Sequence, residues 1–186
     1  QVQFILWNKS PMIIENVTFT EGETHAYGVF KERSSHVFAP DETIYIYAEP
    51  KYFTLLKRND QYEISLVLDC NLYDKAGKLL IRKEAFSQYQ YTTQKPVREI
   101  FLDLYFNLKI DPGEYQIEVV VRDQFSDKTA SFKLPFKNNK NPYRLATILF
   151  KDIFTHDYIF KMNPHTRSWL KMKVKIAIPK LSLQGI

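Results

Sequence analysis

The chain has 186 residues, 45% of them hydrophobic and 25% charged, so it is long enough for one domain with a proper core and short for two. Fourteen Phe and twelve Tyr against five Gly favour β-structure, because aromatic side chains suit a pleated, half-buried surface. No apolar run reaches the roughly 18 residues that cross a bilayer as a helix. The single cysteine, Cys70, excludes an internal disulfide and hence a small disulfide-stapled domain.

Positive charge is concentrated towards the C-terminus. The net charge of the chain is +5, and residues 137–186 hold ten Lys or Arg against two Asp, which is +8 and leaves −3 for residues 1–136. This boundary predicts a basic C-terminal extension (137–186), which follows a central domain (29–136) and an N-terminal segment with a first strand (1–28). Because the sequence starts at Gln1 rather than Met, we expect a processed protein or a fragment.

Alternation of apolar and polar residues predicts strands in chain order. Residues 16–20 make a plausible first strand, and the alternation over residues 44–48 predicts a second one after the Pro40-Asp41-Glu42 turn. The clearest pattern is at 64–73, where one face carries Ile64, Leu66, Leu68, Cys70 and Leu72. Asp74 to Gly77 then predicts a hairpin turn, because Gly77 can adopt the positive φ that closes it, and residues 78–86 are the return strand.

Three further strands follow the same rule. They are predicted at 100–108, 115–121 and 130–136, and Pro135 in the last of them requires a sheet edge or a strand end. The residues predicted to share one core are Leu66, Leu68, Leu102, Leu104, Ile117, Val119, Phe132 and Leu134. Strands spaced this regularly, without helices between them, predict an all-β, immunoglobulin-like antiparallel sandwich of about seven strands.

Two motifs resemble those of bacterial extracytoplasmic immunoglobulin-like modules. Residues 37–44, VFAPDETI, are similar to the pattern F-x-P-G-E-x-v, with Asp41 in place of the usual Gly, and residues 111–123 are similar to p-G-x-Y-x-l-x-v-x-v-x-D. The resemblance spans residues 29–136 and implies the sandwich fold, an extracytoplasmic location and a corner position for Tyr115. It implies no activity, because such modules occur in many envelope proteins.

The basic extension predicts a short helix and then a strand. Asn141-Pro142 is a typical helix start, and apolar residues at helical spacing predict an amphipathic helix over 142–154. Residues 171–178 alternate again, with Met172, Val174, Ile176 and Ile178 on one face and Lys171, Lys173 and Lys175 on the other. This strand either packs on its own sandwich or completes a neighbouring subunit by strand addition, and its basic outer face favours the second arrangement.

Motifs of catalysis are absent from the sequence, which has no Gly-rich phosphate loop, G-x-S-x-G, H-E-x-x-H or C-x-x-C pattern. Cys70 lies on an apolar strand face and is predicted to be a buried thiol, whereas Asp69 and Asp103 are predicted to be solvated acids on outward faces. The four histidines are expected at the surface, although His25 and His36 could meet Glu23 or Glu32 at a metal site; the other two are His156 and His165. We expect no enzymatic activity, no cofactor and no metal.

Aromatic residues on outward strand faces are the more informative feature. They are Tyr45, Tyr47, Tyr73, Phe101 and Tyr105, at positions where a solvated sheet would show Thr, Ser or Lys. A sheet with aromatic residues on both faces is usually covered on both. The cover is either the chain's own C-terminal extension or a partner protein, and a third possibility is sugar stacking on Tyr45, Tyr47 and Tyr105.

These patterns favour a non-catalytic structural or assembly subunit of a cell-envelope or extracellular complex, acting through contacts with other protein subunits. The alternative is a carbohydrate- or other ligand-binding module. The predicted partner-contacting residues are Tyr45, Tyr47, Phe101, Tyr105, Lys171, Lys173, Lys175, Val174, Ile176 and Ile178. Lysines on an edge strand commonly prevent strand pairing, so we expect no nucleic-acid partner, while a position close to an anionic membrane surface stays open. The predicted location is periplasmic, cell-surface or secreted.

Overall fold

The computed structural model describes residues 5–139 and the backbone of residues 2–4 and 173–177. These residues form one helix and ten strands. The helix is α1 (Val2–Lys9), and the strands are β1 (Ile13–Thr20), β2 (Val37–Phe38), β3 (Thr43–Lys51), β4 (Leu56–Arg58), β5 (Gln61–Asp74), β6 (Leu79–Thr93), β7 (Leu102–Asn107), β8 (Gly113–Asp123), β9 (Thr129–Asn138) and β10 (Lys173–Ala177).

The strands form two sheets that enclose one core. A four-stranded sheet has the order β1-β3-β7-β10, and a six-stranded sheet has the order β2-β9-β8-β5-β4, with β6 paired to β5. Neighbouring strands are antiparallel except for β2 with β9 and β7 with β10. The order β1-β3-β7 against β9-β8-β5 corresponds to the A-B-E and G-F-C strands of an immunoglobulin domain. The predicted all-β sandwich is therefore confirmed.

Residues that alternate along the strands fill the space between the sheets. Of the eight predicted core residues, seven are buried, and Leu134 is partly buried and packs against the others. Each fully buried aliphatic side chain of this kind contributes about 1.5–3 kcal/mol relative to its exposed state. The hydrophobic core therefore lies where period-two alternation places it.

Turn residues also take the conformations that their sequence predicts. Gly77 has a φ of +81°, and its N–H donates to the carbonyl oxygen of Asp74 at 3.0 Å. Asp41 has a φ of +63°, so an aspartate here occupies the left-handed region that glycine occupies most easily. Pro135 lies in β9 outside the short stretch, Lys137–Asn138, that pairs with β2. It is therefore at an open part of the sheet edge, as predicted.

The structure differs from the predictions mainly near the N-terminus. Helix α1 was not predicted, and it is attached to the loop after β3, because the Trp7 indole N–H donates to the carbonyl oxygen of Phe53 at 2.8 Å. Strand β1 pairs with β3 and places Phe19 in the core, so the sandwich begins before residue 29. Strands β2 and β4 were also missed, and the predicted helix over 142–154 lies outside the described residues.

Candidate interaction surfaces

The outer face of the four-stranded sheet carries the aromatic residues singled out from the sequence, and the chain itself covers two of them. Tyr47 and Phe101 are 0% and 1% exposed. The Phe30 ring stacks on Tyr47 with centroids 4.3 Å apart, and Tyr47 in turn lies 5.6 Å from Phe101. The expectation that the C-terminal extension or a partner covers this face is wrong for Tyr47, because Phe30 of the loop between β1 and β2 covers it.

Polar contacts hold this loop against the sheet. The Tyr47 hydroxyl donates to Glu49 Oε1 at 2.7 Å and accepts from the Gly28 N–H at 2.7 Å. Lys51 Nζ lies 3.1 Å from Glu49 Oε2 and also bonds to the Tyr27 hydroxyl. Burial alone would raise the pKa of Glu49, but hydrogen bonds from Tyr47, Tyr27 and Lys51 outweigh burial and hold that pKa below its ordinary value. The cluster therefore carries a buried, ionised carboxylate that fixes the loop.

Tyr45 and Tyr105 are half-buried neighbours on the same sheet. Their ring centroids are 6.3 Å apart and their planes are inclined by 43°. Sugar stacking needs rings that present an open face, and Tyr47, the third ring expected in such a platform, is buried. Of the three rings of the predicted platform, Tyr45 and Tyr105 are thus the two that are partly exposed.

The predicted basic strand lies within the sandwich. Residues 173–177 form β10, which pairs in parallel with β7, with Lys173 in register with Asp103, Val174 with Leu104, Lys175 with Tyr105 and Ile176 with Phe106. This is the intrachain alternative, so the docking arm favoured by the sequence is not the arrangement that the structure shows. Lys171 and Ile178 lie outside the described residues.

A surface that the sequence analysis missed is the outer edge of β6. This strand continues to Thr93 rather than ending at residue 86, and its pairing with β5 runs from Tyr62↔Thr93 to Tyr73↔Leu79. On its other side no strand pairs with it within the described part of the chain. Residues 85–94, AFSQYQYTTQ, contain no charged residue and no proline. This uncharged run was the sequence signal that could have revealed the edge.

An ion pair and a bulge anchor β6 to the sheet. Arg122 of β8 makes two hydrogen bonds of 2.8 Å to the carboxylate of Asp69 in β5, and Asp69 Oδ1 accepts the N–H of Ala85 at 2.7 Å. Ala85 has a φ of +45° and lies where the β5–β6 register shifts. Burial alone would raise the pKa of Asp69, but the bonds from Arg122 and Ala85 outweigh it and lower that pKa. The edge is therefore held by a carboxylate in the middle of the sheet.

Comparisons with known proteins place few constraints on this chain. No protein-family model matches the sequence, and no curated protein matches it. Among solved structures, the sporulation control protein Spo0M from Bacillus subtilis is similar with a TM-score of 0.37 and 14% sequence identity. The match covers 72% of this chain and 51% of that protein, so this chain spans about half the length of the neighbour it matches.

Cys70, Asp69 and Asp103, which the sequence analysis also considered, lie within the strands of the two sheets. Cys70 is 6% exposed, and burial together with the nearby Glu118 carboxylate raises its pKa to about 12, which confirms the buried thiol. The prediction of two solvated acids is wrong for Asp103, which is 1% exposed and accepts the Thr24 N–H at 3.1 Å. Asp69 and Asp103 also lie in different sheets, because β5 and β7 belong to the six- and four-stranded sheets.

The described residues form neither a metal site nor a membrane-spanning helix. His25 and His36 are both exposed, and residues 2–139 hold no group of three His, Cys, Asp or Glu side chains that could bind a metal ion. His156 and His165 lie outside the described residues. No helix in this part of the chain is long and apolar enough to cross a membrane.

Proposed function

We propose that this protein is a non-catalytic structural or assembly module that acts through protein–protein contacts in the cell envelope or outside the cell. The observation that supports this most is the uncharged outer edge of β6 at residues 88–93, beside which no other strand lies among the described residues. An open strand edge presents unpaired backbone N–H and C=O groups, which pair readily with an extended strand of another chain. Such an edge is therefore suited to assembly by strand addition.

The contrast with the other sheet edges strengthens this argument. Natural sandwiches protect their edges with charged residues, prolines, bulges or very short strands. The edge of β1 is covered near its end by residues 31–33, since the Arg33 N–H donates to the Phe19 carbonyl oxygen at 2.8 Å. Strand β4 is three residues long. The remaining edges and the first half of β6 carry charged residues or proline. These residues are Arg82, Lys83, Glu84, Lys133, Pro135, Lys137, Lys173 and Lys175.

Only the second half of β6, among the described strands, lacks all of these devices. Its outward side chains are amides and hydroxyls, and Gln88, Gln90 and Thr92 are exposed. Uncharged polar side chains keep the strand soluble while leaving its backbone accessible. An edge left open in a fold whose other edges are protected is best explained as a binding edge.

The extracytoplasmic location rests on the resemblance to envelope modules. Tyr115 supports the resemblance at one position, because its hydroxyl donates to the Asp111 carbonyl oxygen at 2.7 Å, which is the contact of a corner tyrosine. That contact is a feature of the fold and says nothing about the partner. The location is therefore tested separately from the assembly role.

Site-specific photo-crosslinking in the native cell tests both parts of the proposal. A photoreactive amino acid at Gln88 should crosslink to a defined polypeptide, whereas the same group at Asp60, whose side chain is 98% exposed in the turn before β5, should not. The crosslinked protein should be recovered from the envelope or secreted fraction. Equal crosslinking at both positions would contradict the assembly role, and recovery only from the cytosol would contradict the location.

A further inference from the structure

We infer that helix α1 packs against an anionic lipid surface, with Ile5 and Leu6 in contact with the apolar part of the bilayer and nearby Lys and Arg side chains in contact with lipid phosphates. The inference uses α1 rather than β6, so it goes beyond the proposed assembly role and does not depend on it. It is carried by two exposed apolar side chains on a helix that is attached to the core, and by the positive charge of the segments around that helix.

Helix α1 presents one side to solvent and attaches to the sandwich by the other. Ile5 and Leu6 are 50% and 59% exposed, and Lys9 is also exposed. Residues three and four positions apart lie on the same side of a helix, so Lys9 shares the side of Ile5 and Leu6. Trp7 and Asn8 lie on the opposite side, which bonds to the loop after β3. The outward side thus combines apolar and basic residues, as helices at membrane surfaces do.

Hydrogen bonds hold α1 in this orientation. Besides the bond from Trp7 to Phe53, the Asn8 side-chain amide donates to the Leu55 carbonyl oxygen at 3.2 Å and accepts the Leu55 N–H at 3.1 Å. Phe53 and Leu55 are buried in the core. The helix is therefore attached to the core while Ile5 remains in water, and an apolar side chain gains free energy when it moves from water into lipid.

The segments around α1 are positively charged. Residues 1–12, 52–60 and 94–99 have a net charge of +3, whereas residues 1–136 as a whole carry −3, so the rest of that stretch carries −6. The five cations of the three segments are Lys9, Lys57, Arg58, Lys95 and Arg98, and the two anions are Asp60 and Glu99. The positive charge is therefore local to this end of the sandwich, and it complements the negative potential of an anionic membrane surface.

Three of these cations have no acidic partner among the described residues. Lys9, Lys95 and Arg98 form no ion pair in that part of the chain. The Arg98 guanidinium lies 5.6 Å from the centre of the Trp7 ring, so the loop between β6 and β7 contacts α1. The two cations at the end of β4 lie 3.5 and 3.8 Å from carboxylates, in surface pairs that contribute little. The charges next to α1 can therefore bind lipid phosphates.

The size and chemistry of this surface favour lipid over a protein partner. A stable protein interface buries about 800 Å² on each partner, and charged residues are depleted from its centre. Here two apolar side chains are bordered by cations, which is the pattern of a shallow lipid anchor. Trp7 and Tyr52, whose ring centroids are 4.8 Å apart, add the aromatic residues that are enriched where a membrane meets water.

Co-sedimentation of the full chain with lipid vesicles tests the inference. We expect it to bind vesicles of phosphatidylcholine mixed with phosphatidylglycerol more tightly than vesicles of phosphatidylcholine alone, and less tightly as salt screens the attraction. Residues 137–186 carry +8 and attract anionic vesicles by themselves, so variants decide the matter. Ile5→Glu combined with Leu6→Glu should weaken binding by about tenfold or more. Val29→Glu, at a 68% exposed apolar position between β1 and β2, is the control and should bind like the natural chain.

A second pair of variants tests the charge of this surface. Lys9→Glu combined with Lys95→Glu should weaken binding to the mixed vesicles by about tenfold, because both lysines border α1. Lys75→Glu combined with Lys78→Glu changes the net charge equally, but these exposed lysines lie in the turn at the opposite end of β5. The control pair should therefore weaken binding much less.

Unchanged vesicle binding by the Ile5 and Leu6 variant would overturn the inference, as would equal losses for the two pairs of lysines. Thermal melting shows whether a variant retains the fold, and crosslinking needs no such variant. A photoreactive amino acid at position 6 should crosslink to lipid in the native cell, and a crosslink to a defined polypeptide instead would overturn the lipid assignment. The crosslink at Gln88 tests the assembly role separately, so either proposal can fail while the other stands.

Discussion

Two tyrosines of the six-stranded sheet, Tyr115 and Tyr89, differ in whether their hydroxyl group makes a hydrogen bond. The Tyr115 hydroxyl donates to the Asp111 carbonyl oxygen at 2.7 Å. The Tyr89 hydroxyl is buried and has no hydrogen-bond partner in the part of the chain that the structure describes. A buried polar group without a partner loses its hydration and gains nothing in return, so the two hydroxyls should affect stability with opposite signs.

Removing each hydroxyl tests this difference. Tyr115→Phe should lower the free energy of unfolding by about 1 kcal/mol, the net contribution of an ordinary hydrogen bond. Tyr89→Phe should leave it unchanged or raise it by about 1 kcal/mol, because the phenyl ring fills the same space without a polar atom to desolvate. Urea denaturation measures both values, and a clear destabilisation by Tyr89→Phe would show that its hydroxyl is bonded in solution.

At the scale of single elements, a partly buried ion pair helps to hold β6 in place. Asp69 links three strands, because its carboxylate binds Arg122 of β8 and the Ala85 N–H of β6 from its own position in β5. The side chain of Asp69 is 15% exposed and that of Arg122 is 41% exposed, so solvent screens part of the attraction. The ion pair thus stabilises β6 against its neighbours by a modest amount.

Asp69→Asn should lower the free energy of unfolding by roughly 1–2 kcal/mol at neutral pH, because hydrogen bonds to a charged group are lost. The lowered pKa of Asp69 means that this stabilisation is fully present above the pKa of an unfolded aspartate, about 3.9, and is lost as the pH falls through the lower folded value. Urea midpoints at pH 6 and pH 3 should therefore differ less for the variant than for the natural chain.

Asp60→Asn is the control for the acid dependence. Asp60 pairs with Lys57 at 3.5 Å, but its side chain is 98% exposed, and surface pairs of this kind contribute little. Its substitution should change neither the midpoint nor its dependence on pH. An Asp69 variant with the same acid dependence as the natural chain would show that the ion pair does not persist in solution.

At the scale of the whole molecule, the question is whether the basic end of the chain belongs to the sandwich. Strand β10 pairs over five residues with β7, whose Leu102, Leu104 and Phe106 are fully buried. Without β10, β7 becomes an open edge of the four-stranded sheet. The structure therefore predicts that this strand contributes to folding rather than to docking.

Deleting residues 172–186 should lower the free energy of unfolding by roughly 2–5 kcal/mol, because the pairing of a five-residue strand is lost. Each backbone hydrogen bond of that pairing contributes about 0.5–1.5 kcal/mol. Deleting only residues 179–186 leaves β10 in place and is the matched control. Denaturant unfolding distinguishes the two. If the 172–186 deletion has the same free energy of unfolding as the control but no longer associates with another subunit, the docking arm would be favoured instead.

The sequence by itself determined strands β3, β5, β7, β8 and β9 and the face that each of them turns to the core. Period-two alternation at 64–73 or 115–121 reports directly which side chains avoid water, because successive residues of a strand point to opposite faces. Local chemistry also predicted the positive φ of Gly77, and the resemblance to immunoglobulin-like modules predicted the corner position of Tyr115. These features depend on residues close together in the chain, so a single sequence contains them.

Only the tertiary structure decided which neighbour covers each face and which edge stays open. Phe30 stacks on Tyr47, β10 pairs with β7, and Asp69 forms an ion pair with Arg122. Each of these contacts is between residues far apart in sequence. Alternation shows that a residue is covered but carries no information about the covering segment, since any apolar stretch can serve. The edge position of β6 could not be predicted for the same reason: a strand is an edge when no other strand lies beside it, which holds for β6 among the described residues and is settled only when the two sheets assemble.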